Sequence, residues 1–392
     1  MVKVNPDILV WARLKAKLSI EEAASKLGLH DSESVSAKDR LIRMEKGDEL
    51  PSRSLLVKMS EKYRRSLLAF YLSKRPKDGD RGEDYRTSSD ISTVKNDSIV
   101  DVLVRDIWVR QGILRSAMED EEEAKPLKFV GSINMSYQKS KVVNVIYETL
   151  RFDVKKFYAF SGTQRTQKAF SYLRKLCEEA GVFVLLMSDL GSYHTKIDSK
   201  TFRGFALADK ICPFIVINNQ DAKAAYAFTL LHEFVHILLG KSGISGKSID
   251  KEIEKYCNEI ASEALLPVQE LSSLVIANDS DLAGIVKQIN EFSTSHNLSA
   301  SMVAYRLYAK KQISYDLWNR LSEFFYQGWL KGQKSNSAES KPIPYYKVKR
   351  SNLGDSLVSV VQRMMQSGSL TTMRAGKVLD VNAINVHKLF VH

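Results

Sequence analysis

Apolar and polar positions along the chain follow a helical period over most of its length. Residues 5–75 break into successive short helical patterns. Ser19-Ile20-Glu21-Glu22 has the form of a capping box, in which a hydroxyl and a carboxylate three residues apart satisfy the free N–H groups of a helix start. It opens EEAASKLG, with Ala23, Ala24 and Leu27 at helical spacing and Gly28 as the stop. A second helix, about 36–46, packs through Leu41, Ile42 and Met44 and turns Lys38, Arg40 and Arg43 outward. A further helical segment ends in the acidic run 119–123, read as a solvated helix end. The period is helical again from Ser132. After Gly181 come VFVLLM, FRGFALAD and PFIVINN, extended runs rich in β-branched and aromatic residues that predict a small sheet. Residues 221–239, DAKAAYAFTLLHEFVHILL, predict a helix begun by Asp221 and stopped by Gly240, apolar on nearly every side and therefore buried. Residues 250–267 predict another, ending near Pro267. Near the C-terminus Leu357, Val360, Val361 and Met364 mark a helix, followed by two short helices around a tight turn. The fold expected is mainly α with a small β-sheet (α+β).

Two stretches lack apolar periodicity: roughly 75–100, rich in Asp, Ser and Gly, and KGQKSNSAESKP at 331–342. They divide the chain into a helical domain at 1–75, a linker and helical connector at 76–130, a large domain at 131–330 and a small basic helical domain at 341–392. A chain of 392 residues has room for these units. The net charge of +12 is concentrated at the two ends, +6 in residues 1–75 and +7 in residues 331–392. Such a field favours an anionic partner, nucleic acid before a membrane surface. Cys177, Cys212 and Cys257 lie far apart, so no disulfide framework or cysteine zinc knuckle is expected, and a reducing compartment fits. No run has the form of a signal peptide or the length of a membrane span, which leads to a cytoplasmic expectation with no membrane partner.

The chemistry concentrates in His232-Glu233-Phe234-Val235-His236. Residues four apart share a helix face, so both imidazoles can bind one Zn2+ while Glu233 points toward the open coordination position. The apolar flanks FTLL and ILLG make a pair of incidental surface histidines a poor alternative. Hydrolytic zinc sites commonly use three protein ligands, and the helix at 250–267 offers Glu252, Glu254, Glu259 and Glu263. Ile253, Cys257, Ile260, Ala261 and Ala264 define its buried stripe. Glu254 lies at the stripe's border, in line with Asn258, and is the ligand chosen, with Asn258 orienting a ligand histidine. Glu252 is the reserve, Glu259 and Glu263 read as solvent-facing, and Cys257 reads as a small core residue. Tyr226 and His194 are weak candidates for steadying an oxyanion.

The strand ending in INN, the run AFTLLHEFVHILLG and the later E-x-x-C-N-x-x-A-S-E-x-L-L-P, in that order, resemble the ImmA/IrrE family of zinc metallopeptidases over roughly residues 130–330. The resemblance implies a zincin-like metallopeptidase domain, zinc held by His232, His236 and Glu254, and Glu233 as general base. Ala264 stands where a larger apolar residue is usual in the family. SIEEAASKLGL and LIRMEKGDELPSRSLLVKMSEKY resemble an XRE-type helix-turn-helix domain, although HDSESVSAKD is longer than the usual turn. Together these imply a zinc-dependent regulatory endopeptidase coupled to a DNA-binding domain, of the kind found in stress responses, that hydrolyses peptide bonds in a transcriptional repressor. Duplex DNA, contacted by Lys38, Arg40 and Arg43, and a protein substrate are the expected partners, with a homodimer left open. The alternative is a DNA-binding regulator or antitoxin-like protein whose peptidase fold serves as a sensor or interaction module. For residues 1–75 alone the alternative is a bundle for dimerisation or substrate capture. The C-terminal helices read equally as a cap over the protease or as a nucleic-acid contact.

Overall fold

The computed structural model describes residues 4–31, 35–63, 65, 67–72, 91–191, 195–244, 251–276, 282–335 and 344–391, the side chains of 68, 91–98, 244 and 331–335 excepted. These residues form two compact units, the first ending at Val104 and the second beginning at Arg105.

In the first unit α1 (Pro6–Lys15), α2 (Ile20–Leu27), α3 (Ala37–Lys46), α4 (Arg53–Tyr63) and a 3-10 turn, Leu67–Tyr71, close around Ile8, Leu27, Leu41, Met44, Met59 and Phe70. The capping box forms: the Glu22 N–H donates to Ser19 Oγ at 3.1 Å and the Ser19 N–H to the Glu22 carboxylate at 2.9 Å. Gly28 ends α2 in the left-handed region at φ 68°, where a side chain would be strained. Ser36 caps α3. The Arg13 guanidinium forks onto Glu45 at 2.7 and 2.9 Å and donates to the Leu18 carbonyl, tying α1 to α3.

Helix α5 (Ile91–Asp120) belongs to the second unit from Arg105 onward. There follow α6 (Lys139–Leu150), α7 (Val154–Tyr158) and α8 (Arg165–Glu179), then β1 (Phe183–Leu186), β2 (Gly204–Leu207) and β3 (Phe214–Ile217). Next come α9 (Tyr226–Leu238), β4 (Gly243–Ile244), α10 (Lys251–Leu265), α11 (Val268–Leu271), α12 (Leu282–Ser295), α13 (Ala300–Ala309) and α14 (Tyr315–Ser335). The chain finishes with α15 (Tyr345–Leu353), α16 (Asp355–Ser367), α17 (Thr372–Leu379) and a 3-10 turn, Ala383–Leu389. The sheet order is β1-β3-β2-β4, with β1 parallel to β3 and β2 antiparallel to both β3 and β4. The architecture is mainly α with a small sheet, as the sequence predicts. Strand β4 has two residues, too few for any alternation to announce it.

Strand period two gives the sheet two different faces. Val184, Ala206, Ile215 and Ile217 join the large core with α9, whereas Phe183 meets Phe214 and Phe205 meets Phe202 on the other side. Every residue of α9 except Phe228 is buried. The start of this helix differs from expectation. Asp221 does not cap it; its carboxylate accepts the neighbouring Ala222 N–H at 2.8 Å, a 3-10 turn follows at Lys223–Ala225, and α9 begins at Tyr226. An aspartate at a break in periodicity can fold its own turn as readily as it caps a helix.

The far end of α9 is closed by the segment before α6. Its Ile237 and Leu238 carbonyls accept the Gly131 and Ile133 N–H groups, each at 3.1 Å. Gly240, at φ 66°, leaves the helix so close to this segment that a Cβ there would lie 3.0 Å from Gly131 Cα. Residues 344–391 pack into the same unit. Arg174 of α8 donates to the Ser351 and Asn352 carbonyls, at 2.6 and 3.2 Å, and to the Val184 carbonyl of β1. No described helix is long and apolar enough to cross a membrane.

Because Gly240 combines a left-handed φ with a backbone contact, Gly240→Ala is expected to cost about 2 kcal/mol. Urea unfolding of the two proteins measures it. Unchanged stability would mean that the segment before α6 moves aside freely.

Candidate metal centre

A helix repeats its direction nearly every four residues, so α9 carries two neighbouring polar stripes inside an otherwise apolar core. Thr229 and Glu233 form one, turned toward β2. His232 and His236 form the other, turned toward Glu254 of α10. The two Nε2 atoms stand 3.2 Å apart. A Glu254 oxygen lies 3.4 Å from His232 Nε2, and the other lies 3.3 Å from His236 Nε2. A tetrahedral ion with ligand bonds of about 2.0–2.1 Å separates its ligand atoms by about 3.3 Å. The three side chains therefore already hold a triangle of the right size, and their donor atoms lie within 4.8 Å of one another.

The electrostatics suit a cation. His232 and His236 are 2% and 4% exposed, and burial pushes the His232 pKa down against the opposing pull of Glu254, which keeps the ring neutral and its lone pair available. Burial pushes Glu254 up, but its hydrogen bonds with the two histidines outweigh it and bring the carboxyl down to about 2. Two imidazole nitrogens facing each other across 3.2 Å can make only one hydrogen bond between them, whereas a metal ion engages both nitrogens and the carboxylate at once. Asn258, one turn beyond Glu254, lies near enough to His232 to pull its pKa up against the effect of burial.

The other residues singled out in the sequence have separate places. Glu252 is exposed. Cys257 is fully buried in the large core, and burial raises its pKa strongly, so a thiolate ligand is disfavoured. Glu259 and Glu263 do not face open solvent as expected. Glu259 pairs with Lys139, and Glu263 pairs with Arg306 and with Lys310 at 3.4 Å. Arg306 of α13 is 2% exposed and donates to the Leu266 carbonyl; a guanidinium so buried needs a carboxylate beside it. The Tyr226 hydroxyl donates to the Asn219 carbonyl at 3.0 Å, so it is engaged at the start of α9, and His194 lies outside the described residues. In the first unit Lys38, Arg40 and Arg43 are exposed; Lys38 pairs with Glu21 at 2.5 Å and Arg40 with Glu49 at 2.8 Å. The sequence reading missed Gly204 and Thr229, which flank Glu233 from β2 and from the preceding turn of α9.

The family model of the IrrE N-terminal-like domain matches residues 177–308, a span that runs from the end of α8 through most of α13 and contains the whole cluster. No curated protein and no solved structure matches the chain significantly.

One divalent transition-metal ion per chain is expected to bind this triangle. Elemental analysis should find the ion in the native protein and lose it in the His232→Ala/His236→Ala double variant. Asn258→Ala should weaken binding about tenfold through loss of its hold on His232, and Glu252→Gln should change nothing. Equal metal content in the double variant would place the ion elsewhere.

Proposed function

We propose that the chain is a zinc-dependent regulatory endopeptidase coupled to a DNA-binding domain, and that it cleaves a transcriptional repressor. The observation that carries the reading is the His232–His236–Glu254 triangle with a buried carboxylate, Glu233, between the two histidines in sequence. Two imidazoles and one carboxylate suit zinc and supply three ligands, the number used by hydrolytic zinc sites that keep a fourth position for water. A purely structural site has no use for a further carboxylate at Glu233. The similarity of residues 177–308 to the IrrE N-terminal-like domain supports the same chemistry.

Zinc bound by His232, His236 and Glu254 would acidify a water and polarise the scissile carbonyl. Glu233 takes the proton of the attacking water and delivers it to the departing amine. Asn258 keeps the His232 ring turned toward the ion, and the apolar surroundings of α9 limit competing water. Cys177, Cys212 and Cys257 are buried free thiols, which suits work in the reducing cytoplasm.

For the DNA-binding half, the support is the capped α2–α3 pair, the net +6 of residues 1–75 and three exposed cations on α3. Lys38 and Arg40 sit in exposed ion pairs within the unit. Solvent screens such pairs, so a phosphate can replace either carboxylate at little cost. Arg43, on the same helix face as Arg40, completes the contact.

Glu233→Gln is expected to retain metal and lose hydrolysis by a factor on the order of 10²–10⁴, because the amide keeps the shape and cannot accept a proton. The measurement is cleavage of a co-encoded repressor by the zinc-loaded proteins; equal cleavage by both would exclude the role given to Glu233, and cleavage by neither would favour the sensor reading. Gel shifts on duplex DNA from upstream of the gene should show a preferred operator, binding that weakens steeply with salt, and loss of preference in Arg40→Ala/Arg43→Ala. Binding that ignores sequence and survives those substitutions would leave residues 1–75 as a docking bundle.

A further inference from the structure

Strand β2 turns its two smallest residues, Gly204 and Ala206, toward α9, and its two large ones, Phe205 and Leu207, the other way. Ala206 fills its place in the core. Gly204 fills nothing: a Cβ built there would lie 2.7 Å from Thr229 Cγ2, 3.0 Å from Glu233 Oε1 and 3.1 Å from Glu233 Cγ. Its backbone gives no reason for glycine, since Gly204 is an ordinary strand residue paired with Ile217 and is not among the residues with positive φ. Space alone requires it.

The contacts differ in how they can be relieved. Thr229 is β-branched, so its methyl yields only by exchange between two χ1 rotamers or by movement of α9. Glu233 has a flexible side chain and yields by rotating its carboxylate. We propose that Gly204 is a positioning residue for Glu233: the missing side chain is the slot in which the carboxylate rests, and the strand backbone fixes how far it reaches beside the histidine pair. The proposal rests on the general-base reading of Glu233 and adds the element that aims it. Displacing a reacting group by about 1 Å can cost on the order of 10²-fold in rate.

The test compares the full chain with Gly204→Ala, Thr229→Ser and the double variant, all zinc-loaded. Thr229→Ser removes the methyl that stands 2.7 Å away and leaves the Glu233 contacts as the remaining conflict. Crystal structures of the double variant should show His232 and His236 in place, full metal content and a displaced Glu233 carboxylate. A short peptide hydroxamate, which chelates zinc and donates a hydrogen bond to the neighbouring carboxylate, should bind the double variant at least about tenfold more weakly than the native chain. An unmoved Glu233 with native hydroxamate affinity in the double variant overturns the proposal and leaves Gly204 as clearance for Thr229. Failure of the native zinc-loaded chain to bind the hydroxamate overturns the general-base reading instead, and the Glu233 position in the crystals still decides what Gly204 does.

Discussion

Ionisable groups buried in an apolar core are the constraint on which the second unit depends. His232, Glu233 and His236 are each less than 5% exposed on a helix whose remaining positions, Thr229 apart, are apolar. Removing such groups from water costs several kcal/mol unless partners replace the lost hydration. On one side the partner is Glu254 of α10, beside both imidazoles; on the other, Gly204 of β2 leaves room for the Glu233 carboxylate. Each partner fixes α9 in rotation, because a shift of one residue turns a side chain by about 100° and would drive both imidazoles into hydrocarbon. The apolar faces of α6, α8 and the sheet then have one arrangement in which to close. Burial supplies the driving force, and the polar cluster selects the register.

That division explains which features could be read from sequence. The placement of His232 and His236 on one face follows from their spacing alone, and the choice of Glu254 follows from the buried stripe through Ile253, Cys257 and Ile260. Both inferences stay within one long, strongly periodic helix. The features that escaped depend on residues distant in sequence. Glu263 reads as solvent-facing until α13 brings Arg306 against it, and Asp221 reads as a cap until the chain forms a local turn instead. Gly204 is a strand glycine whose reason appears only when α9 is laid across β2. Periodicity reports which face is buried and is silent about what arrives there.

The same distinction governs the basic C-terminal segment. Its net +7 reads as an outward field in the sequence, yet several of its cations are paired with carboxylates of the same unit. Lys349 pairs with Asp380 at 2.5 Å, Arg350 with Asp355 at 3.0 Å, Arg363 with Glu123 at 2.5 Å and Lys377 with Asp106 at 2.8 Å. Asp106 and Asp380 also flank Arg110, which is 2% exposed and holds α5 to the end of α17. Burial raises the pKa of Asp106, but Arg110 and Lys377 outweigh it and hold the carboxyl below its usual range, as expected of an ionised member of such a network.

Charge offset by a neighbouring carboxylate adds less to the field outside the protein. Asp106 also pairs with the buried Arg110, so drawing Lys377 away to a phosphate disturbs that network, whereas exchange at Arg40–Glu49 involves two side chains that are 49% and 32% exposed. Two segments with nearly equal net charge thus differ in what that charge can do. In the first unit the α3 cations are exposed and exchangeable. In the second, Arg174 grips the Ser351 and Asn352 carbonyls and the Asp106 network grips α17, so the basic residues around them serve to fasten helices to α5, α8 and the β1 edge. The C-terminal helices are thus fastened by their own basic residues to the domain that holds the metal cluster.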